Sequence, residues 1–370
     1  MRKAWRALKR LLRTFGVILA IPLAIGYGIL ILLRNRLYHW GWLPSRKLPC
    51  LVIGIGNLSM GGSGKTPFSI YLLRWLLERG VRVAYLSRGY KRISHGFQEV
   101  LLSGADPARY FGDEATLVKS LLPNIPVGVC EDRVKGGIEL LKRYPDIQAI
   151  VLDDAFQHRR IQKDVDILIL DLLNPPWRDW LFPLGRLREP FMSYKRADLL
   201  ILNQKTAASL PTTRRFNRPS LTFHYVTEGL VPAFPELPPL SLDELRYRNV
   251  VAFCGIAHPQ SFYQSLSALG VYILYTRSFP DHYSFSQKDT AQIARRYRSA
   301  RRTLNMPSLL LLTTEKDLIR LSQSPALSAF TGLPLYALRI GMQPLHPEKA
   351  DSLFSTLFAS LLLYDHNRSL

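Results

Sequence analysis

Residues 50–79 read CLVIGIGNLSMGGSGKTPFSIYLLRWLLER. The apolar run Cys50–Ile55 predicts a strand and Thr66–Arg79 predicts a helix, with a glycine-rich loop between them. Because glycine lacks a Cβ, the backbone N–H groups of such a loop can approach a phosphate, and the following helix adds the positive end of its dipole. Lys65 would reach the β- and γ-phosphates of a nucleotide, and the Thr66 hydroxyl would hold Mg²⁺. This P-loop consists of Ser59, Met60, Gly61, Gly62, Ser63, Gly64, Lys65 and Thr66, with Ser59 where the usual motif begins with glycine.

Short apolar runs alternate with helical stretches over most of the chain, which is typical of an α/β fold. We expect a three-layer α/β/α core of the P-loop NTPase type at 46–205 and a smaller α/β domain at 246–370. The proline-rich segment 206–245 predicts a linker with a short hairpin around Leu221–Tyr225. Strands are expected at Cys50–Ile55, Val81–Leu86, Ile125–Val129, Ala149–Leu152, Ile167–Leu170, Leu199–Leu202, Val250–Cys254, Tyr272–Tyr275 and Leu309–Thr313. Helices are expected at Thr66–Arg79, Glu114–Leu121, Arg133–Arg143, Pro259–Leu269 and Gln287–Thr303.

The charge balance indicates anionic ligands. The 370 residues include 49 Lys and Arg against 28 Asp and Glu, a formal net charge of +21. Such a field attracts nucleotides, nucleic acids or an acidic lipid surface without choosing among them. The three cysteines, Cys50, Cys130 and Cys254, have no metal-site or disulfide spacing, so we expect buried thiols in a reducing compartment.

The N-terminal segment 1–45 favours the lipid surface. Phe15–Leu33 contains no charge over 19 residues, and as a helix it would reach about 28 Å, close to the thickness of a bilayer core. A cleaved signal peptide would have a shorter apolar stretch and a small-residue cleavage site. Both flanks are basic, so the helix either spans the membrane or lies embedded in one leaflet, and we favour the embedded pose. The bending candidates are Pro22, Gly26 and Gly28, and the interfacial aromatic residues are Tyr38, Trp40 and Trp42.

A second candidate motif is Ile150-Val-Leu-Asp153-Asp154-Ala-Phe-Gln157-His-Arg-Arg160. An apolar strand that ends in Asp presents a carboxylate at the edge of the sheet where ligands of α/β folds bind. Asp153 and Asp154 are therefore expected to help hold Mg²⁺ beside the P-loop, although an aspartate at a strand end can also merely cap a helix.

Three further charged clusters allow either chemistry or a structural role. Asp113-Glu114 begins a predicted helix, where acidic residues often act as caps. Asp281-His282 follows Phe279-Pro and would suit a general base or an ordinary turn. Thr314-Glu-Lys-Asp317 closes a predicted strand and could be only a solvated turn.

Taken in order, these motifs resemble the tetraacyldisaccharide 4′-kinase family. The resemblance rests on the P-loop, Leu152–Arg160 and the clusters just described, and it is specific because eight motifs occur in the family's order. The other motifs that carry it are Ser87-Arg-Gly-Tyr90, Asp132-Arg133 and Leu184-Gly-Arg-Leu-Arg-Glu-Pro190. Ala155, where the family commonly has Gly, and Arg186, where it commonly has Pro, depart from the pattern.

The resemblance implies an enzyme that transfers the γ-phosphate of ATP, with Mg²⁺, to the 4′-hydroxyl of a tetraacylated glucosamine disaccharide 1-phosphate in lipid A biosynthesis. It implies that Asp113 and His282 together take the hydroxyl proton, with Lys65 and Arg133 near the transferred phosphate. Residues of the active-site or substrate-facing segments would be Gln157, Arg186, Arg188 and Glu189.

The implied setting is the cytoplasmic face of the inner membrane, with an anionic phospholipid surface as a partner and no obligate protein partner. A membrane-tethered P-loop GTPase or ATPase acting as a switch or assembly factor is the alternative. It would share the P-loop and Asp153, but Asn203-Gln-Lys-Thr206 lacks the Asp of a guanine-recognition motif. No signature of nucleic-acid binding is present.

Overall fold

The computed structural model describes residues 2–103, 106–204, 214–322 and 324–362, with side chains from residue 20 onward. Over these residues the chain forms a mixed α/β fold with one twelve-stranded sheet, and the expected α/β class is confirmed. The strands are β1 (Leu51–Asn57), β2 (Val83–Ser87), β3 (Gln98–Glu99), β4 (Val127–Val129), β5 (Ala149–Leu152), β6 (Val165–Asp171), β7 (Leu199–Gln204), β8 (Ser220–Pro232), β9 (Asn249–Cys254), β10 (Tyr272–Ser278), β11 (Leu310–Thr314) and β12 (Leu335–Pro344).

Helices cover both faces of the sheet and precede it at the N-terminus. They are α1 (Arg2–His39), α2 (Lys65–Leu77), α3 (Pro107–Phe111), α4 (Asp113–Leu121), α5 (Arg133–Arg143), α6 (Leu242–Leu245), α7 (Pro259–Ala268), α8 (Gln287–Thr303), α9 (Glu315–Ser322), α10 (Pro347–Leu357) and α11 (Ala359–Leu362).

The strand order is β10-β9-β11-β12-β8-β7-β6-β1-β5-β2-β4-β3. Strands β1, β2 and β4–β8 run parallel to one another, as do β9–β12. β8 pairs antiparallel with β12, and the short edge strand β3 pairs antiparallel with β4. The β8–β12 pair therefore joins two parallel halves that run in opposite directions. We call β1–β8 the N-terminal half and β9–β12 the C-terminal half.

The register of the β8–β12 pair places the site. Gln204 at the end of β7 pairs with His224 of β8. Thr314 at the end of β11 pairs with Leu338 of β12, which in turn pairs with Leu230 of β8. The carboxyl ends of the two halves thus face each other along β8 across six residues, about 20 Å. Ligands of parallel sheets bind at carboxyl edges, so the cleft between these two edges is the natural site.

One expectation needs correction. The hairpin expected around Leu221–Tyr225 is wrong, because β8 is one continuous strand that pairs with β7 on one side and β12 on the other. The N-terminal helix is continuous through Pro22, and whether it spans the membrane or lies embedded in one leaflet stays a prediction. How the chain divides into domains at 45, 205 and 245 stays a prediction. The three cysteines are unpaired, Cys130 and Cys254 being buried.

Candidate active site

The P-loop is held at both ends by buried asparagines. The side-chain amide of Asn203, at the end of β7, donates to the carbonyl of Ser63 at 2.7 Å, and that of Asn57 donates to the carbonyl of Ser59 at 2.6 Å. Gly64 has φ 94°, a left-handed conformation that L-residues rarely adopt. A Cβ at Gly64 would lie 2.4 Å from the Asn203 amide nitrogen, so glycine is required for this approach as well. Asn203 was missed as a site residue by sequence reasoning, because its contact is formed 140 residues away along the chain.

Lys65 and Asp154 meet at the start of α2. The Lys65 ammonium lies 3.4 Å from Oδ1 of Asp154, whose two carboxylate oxygens also accept from one nitrogen of Arg188 at 2.9 and 2.8 Å. Burial alone would raise the pKa of Asp154, but the charges of Lys65 and Arg188 prevail and lower it to about 2. This carboxylate therefore stays ionised at neutral pH between two cations.

Asp153 has a contrasting environment at the end of β5. Its side chain is buried and its Oδ1 has no hydrogen-bond partner among the described residues, although the Tyr85 hydroxyl lies close by. Burial, followed by the neighbouring charge of Glu114, raises the pKa of Asp153 to about 7. A buried carboxylate with a free oxygen is suited to a cation.

The residues fit a bound Mg²⁺ of the nucleotide-dependent kind. The Thr66 side chain is buried in the first turn of α2 and provides a hydroxyl oxygen next to this edge. Within the described part of the chain no group of three or more His, Cys, Asp or Glu side chains could hold a metal by itself. Mg²⁺ is commonly held by one or two carboxylates with phosphate oxygens and waters, so a partial protein site is the expected form.

Arg133 lies beneath this edge. It opens α5, whose N-terminus is capped by the Asp132 carboxylate. Its guanidinium donates to the carbonyls of Cys130, Glu131 and Asp153 at 3.1–3.3 Å, and only 3% of the residue is exposed. These contacts fix the loop that carries Asp153 and Asp154.

Asp113 and His282, 169 residues apart in sequence, are brought into contact across the cleft. His282 Nδ1 lies 3.0 Å from Oδ2 of Asp113, and the imidazole packs edge-on against the Tyr90 ring. The same carboxylate oxygen accepts from Nε of Arg320 at 2.9 Å, with the Lys316 ammonium 3.8 Å away. Although burial acts in the opposite direction, Lys316, His282 and Arg320 hold the pKa of Asp113 well below its ordinary range.

The cations around Asp113 come from the C-terminal half. Arg320 also donates to the Gly255 carbonyl and to Asp317, both at 2.7 Å, and Asp317 accepts from the Gly255 N–H at 2.9 Å. Lys316 donates to Glu114 at 3.0 Å. The Thr314–Asp317 cluster is therefore part of the contact between the halves and not a solvated turn. Arg320, one helical turn after Asp317, carried no motif and was missed.

The P-loop itself also faces the C-terminal half. A Cβ built on Gly62 would lie 3.3 Å from the Cβ of Ala257, in the loop after β9. The phosphate-binding loop and the Asp113–His282 pair thus lie in the same cleft between the facing carboxyl edges.

The segment expected to face substrate is engaged in internal contacts. Gln157 donates to the Asn57 carbonyl at 2.9 Å, and the Arg186 Nε donates to Asp179 at 3.0 Å. Glu189 is fully buried and pairs with Arg196 at 2.7 Å. These residues support the P-loop edge in this structure, and their role toward substrate stays a prediction.

The N-terminal helix reaches this same network. Arg34 lies 3.4 Å from Glu189, and Asn35 donates to the second oxygen of that carboxylate at 3.0 Å. Arg159 donates to the Asn35 carbonyl at 2.7 Å. The end of α1 is therefore bonded directly to the segment next to the P-loop.

The chain matches known proteins over nearly its whole length. The family model described as tetraacyldisaccharide-1-P 4′-kinase covers residues 17–359. The chain belongs to this family. Two relatives named tetraacyldisaccharide 4′-kinase, from Pelodictyon phaeoclathratiforme and Aquifex aeolicus, are each 36% identical to it. The first match covers 87% of this chain and 92% of the relative, and the second 81% and 89%.

A solved structure agrees. The crystal structure of the "apo" form of LpxK from Aquifex aeolicus in complex with ATP superposes with a TM-score of 0.71 at 34% identity, over 91% of this chain and 98% of that one. The family suggested by the ordered motifs is confirmed, and with it the reaction class: this chain is a phosphotransferase that phosphorylates the 4′-position of a lipid disaccharide in lipid A biosynthesis.

Proposed function

We propose that the cleft between the two carboxyl edges is where the γ-phosphate of ATP is transferred to the 4′-hydroxyl of the tetraacylated disaccharide 1-phosphate. The observation that carries this proposal is the 3.0 Å contact between Asp113 and His282 in the cleft that also contains the P-loop. A kinase needs both a phosphate cradle and a group that accepts the proton of the attacking hydroxyl, and the two are supplied by different parts of the chain.

The P-loop residues 59–66 would hold the triphosphate, with Mg²⁺ held by the Thr66 hydroxyl and Asp153. When bound there, Mg²⁺ would neutralise charge on the phosphate oxygens. Lys65, placed by the first turn of α2, would contact the β- and γ-phosphates while Asp154 and Arg188 fix its position. Arg133 acts through its carbonyl contacts by orienting the loop that carries Asp153.

His282 is the proposed proton acceptor. The Asp113 carboxylate would accept the Nδ1–H of the imidazole and leave Nε2 to take the proton of the 4′-hydroxyl as the hydroxyl becomes nucleophilic. Asp113 itself is paired with Arg320 and Lys316, so it orients and stabilises the imidazolium and does not keep the proton.

The membrane setting belongs to the same proposal. Residues 20–39 of α1 are long and apolar enough to cross a bilayer, and a tetraacylated substrate resides in one. We infer that the enzyme works on the anionic phospholipid surface at the cytoplasmic face of the inner membrane, without an obligate protein partner and without nucleic acid. Basic residues on both flanks of the helix support this orientation.

The deciding experiment supplies purified protein with γ-labelled ATP, Mg²⁺ and the disaccharide 1-phosphate lipid in detergent micelles. We expect label in the lipid at the 4′-position, and none with the Lys65→Ala variant. Label released only as free phosphate would instead support the alternative of a membrane-tethered P-loop switch.

A further inference from the structure

The connection between β6 and β7 carries an apolar turn that the kinase chemistry does not use. It consists of Trp180-Leu181-Phe182-Pro183-Leu184, five consecutive uncharged residues with arginines at 178 and 186 on either side. Trp180 is 71% exposed and Phe182 is 46% exposed. Two neighbouring large aromatic side chains in water are unfavourable, so a partner for this surface is expected.

The apolar turn is fixed against α1. The Tyr27 ring packs edge-on against Phe182 with centroids 6.0 Å apart, and its hydroxyl donates to the Arg188 carbonyl at 2.8 Å. A Cβ built on Gly28 would lie 2.8 Å from Leu181, so the helix and the turn approach as closely as glycine permits. The turn therefore lies at the level of residues 27 and 28 of the helix.

That level is apolar on the helix as well. Among the side chains of α1 that the structure describes, from residue 20 onward, the exposed large apolar ones are Ile21, Leu23, Ile25, Ile29, Leu30, Leu32 and Leu33. Arg34 is the first charged residue after Tyr27, seven residues further on, which is about 10 Å along a helix. If Arg34 and Arg36 lie at the phospholipid headgroups, the apolar turn lies about 10 Å deeper, within a hydrocarbon leaflet of roughly 15 Å.

Backbone polar groups of the turn make internal hydrogen bonds, as a segment that enters lipid requires. Phe182 N–H donates to the Leu187 carbonyl at 3.0 Å, Leu187 N–H donates to the Trp180 carbonyl at 2.9 Å, and Gly185 N–H donates to the Leu181 carbonyl at 3.0 Å. The neighbouring Asp179 carboxylate is paired with Arg186 at 3.0 Å. Irregular backbone enters lipid only when such groups are satisfied internally.

We propose that residues 180–184 form a second membrane-inserting element, which enters the acyl region of an anionic phospholipid bilayer beside α1. The proposal rests on the membrane location inferred above. Arg178 and Arg186 at the base of the turn carry positive charge that complements the phosphates of the lipid surface. We assign the bilayer as the partner of this surface because the turn lies at the same level as the exposed apolar side chains of α1 and extends their apolar surface.

Insertion of this turn would set the position of the phosphate site. The chain leaves the turn directly into an antiparallel contact with the P-loop, in which Met60 N–H donates to the Arg186 carbonyl at 2.8 Å and Arg188 N–H donates to the Leu58 carbonyl at 2.7 Å. The P-loop edge is thereby held beside the membrane surface, where a lipid acceptor can reach it while its acyl chains stay in the bilayer.

The test measures the depth of Trp180 in the full chain bound to vesicles of phosphatidylcholine and phosphatidylglycerol. Acyl chains brominated near their middle should quench the emission of the wild type more than that of Trp180→Phe, and the emission lost in the variant should be protected from aqueous acrylamide. Quenching of that component by acrylamide alone would overturn the proposal. Quenching by neither agent would also overturn it, because a second copy of the chain would then cover the turn.

Trp40 and Trp42 separate this proposal from the membrane location itself. If bromine quenched these two tryptophans but not Trp180, the membrane location of the anchor would be supported and insertion of the turn would be overturned. Absence of quenching for all three would overturn both inferences, and label transfer in micelles would still test the kinase reaction independently.

The KM for lipid in vesicles gives an independent kinetic test of insertion. The double variant Trp180→Ser, Phe182→Ser should raise the apparent KM for lipid presented in vesicles roughly tenfold, since burial of even one such side chain changes partitioning by about that factor. Its kcat in detergent micelles should match the wild type. Tyr272→Ser, a control at a 56% exposed aromatic on β10, should change neither value. An unchanged vesicle KM in the double variant would contradict the proposal.

Discussion

At the scale of single residues, the proposed proton transfer depends on the surroundings of one carboxylate oxygen. Oδ2 of Asp113 accepts from both His282 and Arg320, and Lys316 lies just beyond hydrogen-bond distance. A carboxylate that is already stabilised by two permanent cations is a weak base at neutral pH. His282, which reaches Asp113 through Nδ1, is then the proposed acceptor through Nε2, which lies 3.7 Å from the Asp281 carboxylate and beyond hydrogen-bond distance of it.

Replacing His282 by Asn should lower kcat by roughly 10²–10⁴-fold, the usual contribution of a positioned general base. The KM for ATP should change little, because the P-loop contacts do not involve this residue. Steady-state kinetics with varied ATP and lipid in micelles would measure both values. His346→Asn, at an exposed histidine before α10, is the matched control and should behave as the wild type. Normal turnover by the His282 variant would remove the proton-acceptor role.

Asp113 should also make stability depend on pH. Its pKa is depressed in the folded state, so its contribution is present above the unfolded value of about 4 and is lost as pH falls below that value. Asp113→Asn should lower the free energy of unfolding by roughly 3 kcal/mol at pH 7, as expected when a buried ion pair loses one partner. The difference from the wild type should shrink as the pH is lowered from about 4 to 3. Urea unfolding across this range would measure it, and a difference independent of pH would contradict the assignment.

At the scale of secondary-structure elements, the β1–α2 connection depends on glycine at two positions for different reasons. Gly61 and Gly64 both have φ near 100°, but only Gly64 has Asn203 and Tyr225 within 3 Å of the position of a Cβ. Gly61 therefore needs glycine for its backbone conformation alone, and Gly64 needs it for conformation and space.

Gly64→Ala should accordingly be worse than Gly61→Ala. Backbone strain of about 1–3 kcal/mol applies to both variants. Only Gly64→Ala should displace the Asn203 side chain from the Ser63 carbonyl, and it should raise the KM for ATP in addition to lowering Tm. Thermal unfolding and nucleotide titration would compare the two. Equal KM values for ATP in both variants would show that the Asn203 contact does not shape the phosphate loop.

Elements with a strong local signal were predictable, and those defined by distant pairing were not. The P-loop and the Asp153–Asp154 strand end were found because glycine spacing and an apolar run carry the information within a few residues. The prolines of segment 206–245 favour a linker with a short hairpin where the structure has β8, because nothing local shows the pairing of β8 with β12 more than one hundred residues later. Arg320 was missed for the same reason, as it lies 207 residues from Asp113.

At the scale of the whole molecule, the β8–β12 pair is the continuous link between two halves of one sheet whose carboxyl edges face each other. β7 ends opposite His224 of β8, and β11 ends level with Leu230 of the same strand. The length of β8 between these two residues therefore sets the distance between the two carboxyl edges. Across the cleft the halves are bonded by Arg320 and Lys316 to Asp113 and Glu114. The geometry at His282 therefore depends on how the two halves sit, and a change in these contacts should alter catalysis without touching the P-loop.

Arg320→Met tests that dependence, because it removes the bonds to Asp113 in one half and to Asp317 and the Gly255 carbonyl in the other while keeping a long apolar side chain. We expect kcat to fall by at least tenfold, and amide hydrogen exchange to accelerate at the start of α4 and in the loop after β9 but not in α5. Arg320→Lys should restore part of both, since it keeps the charge but not the fork of donors. A fall in kcat with unchanged exchange at both places would mean that Arg320 acts only by its charge on Asp113, and not by holding the halves together.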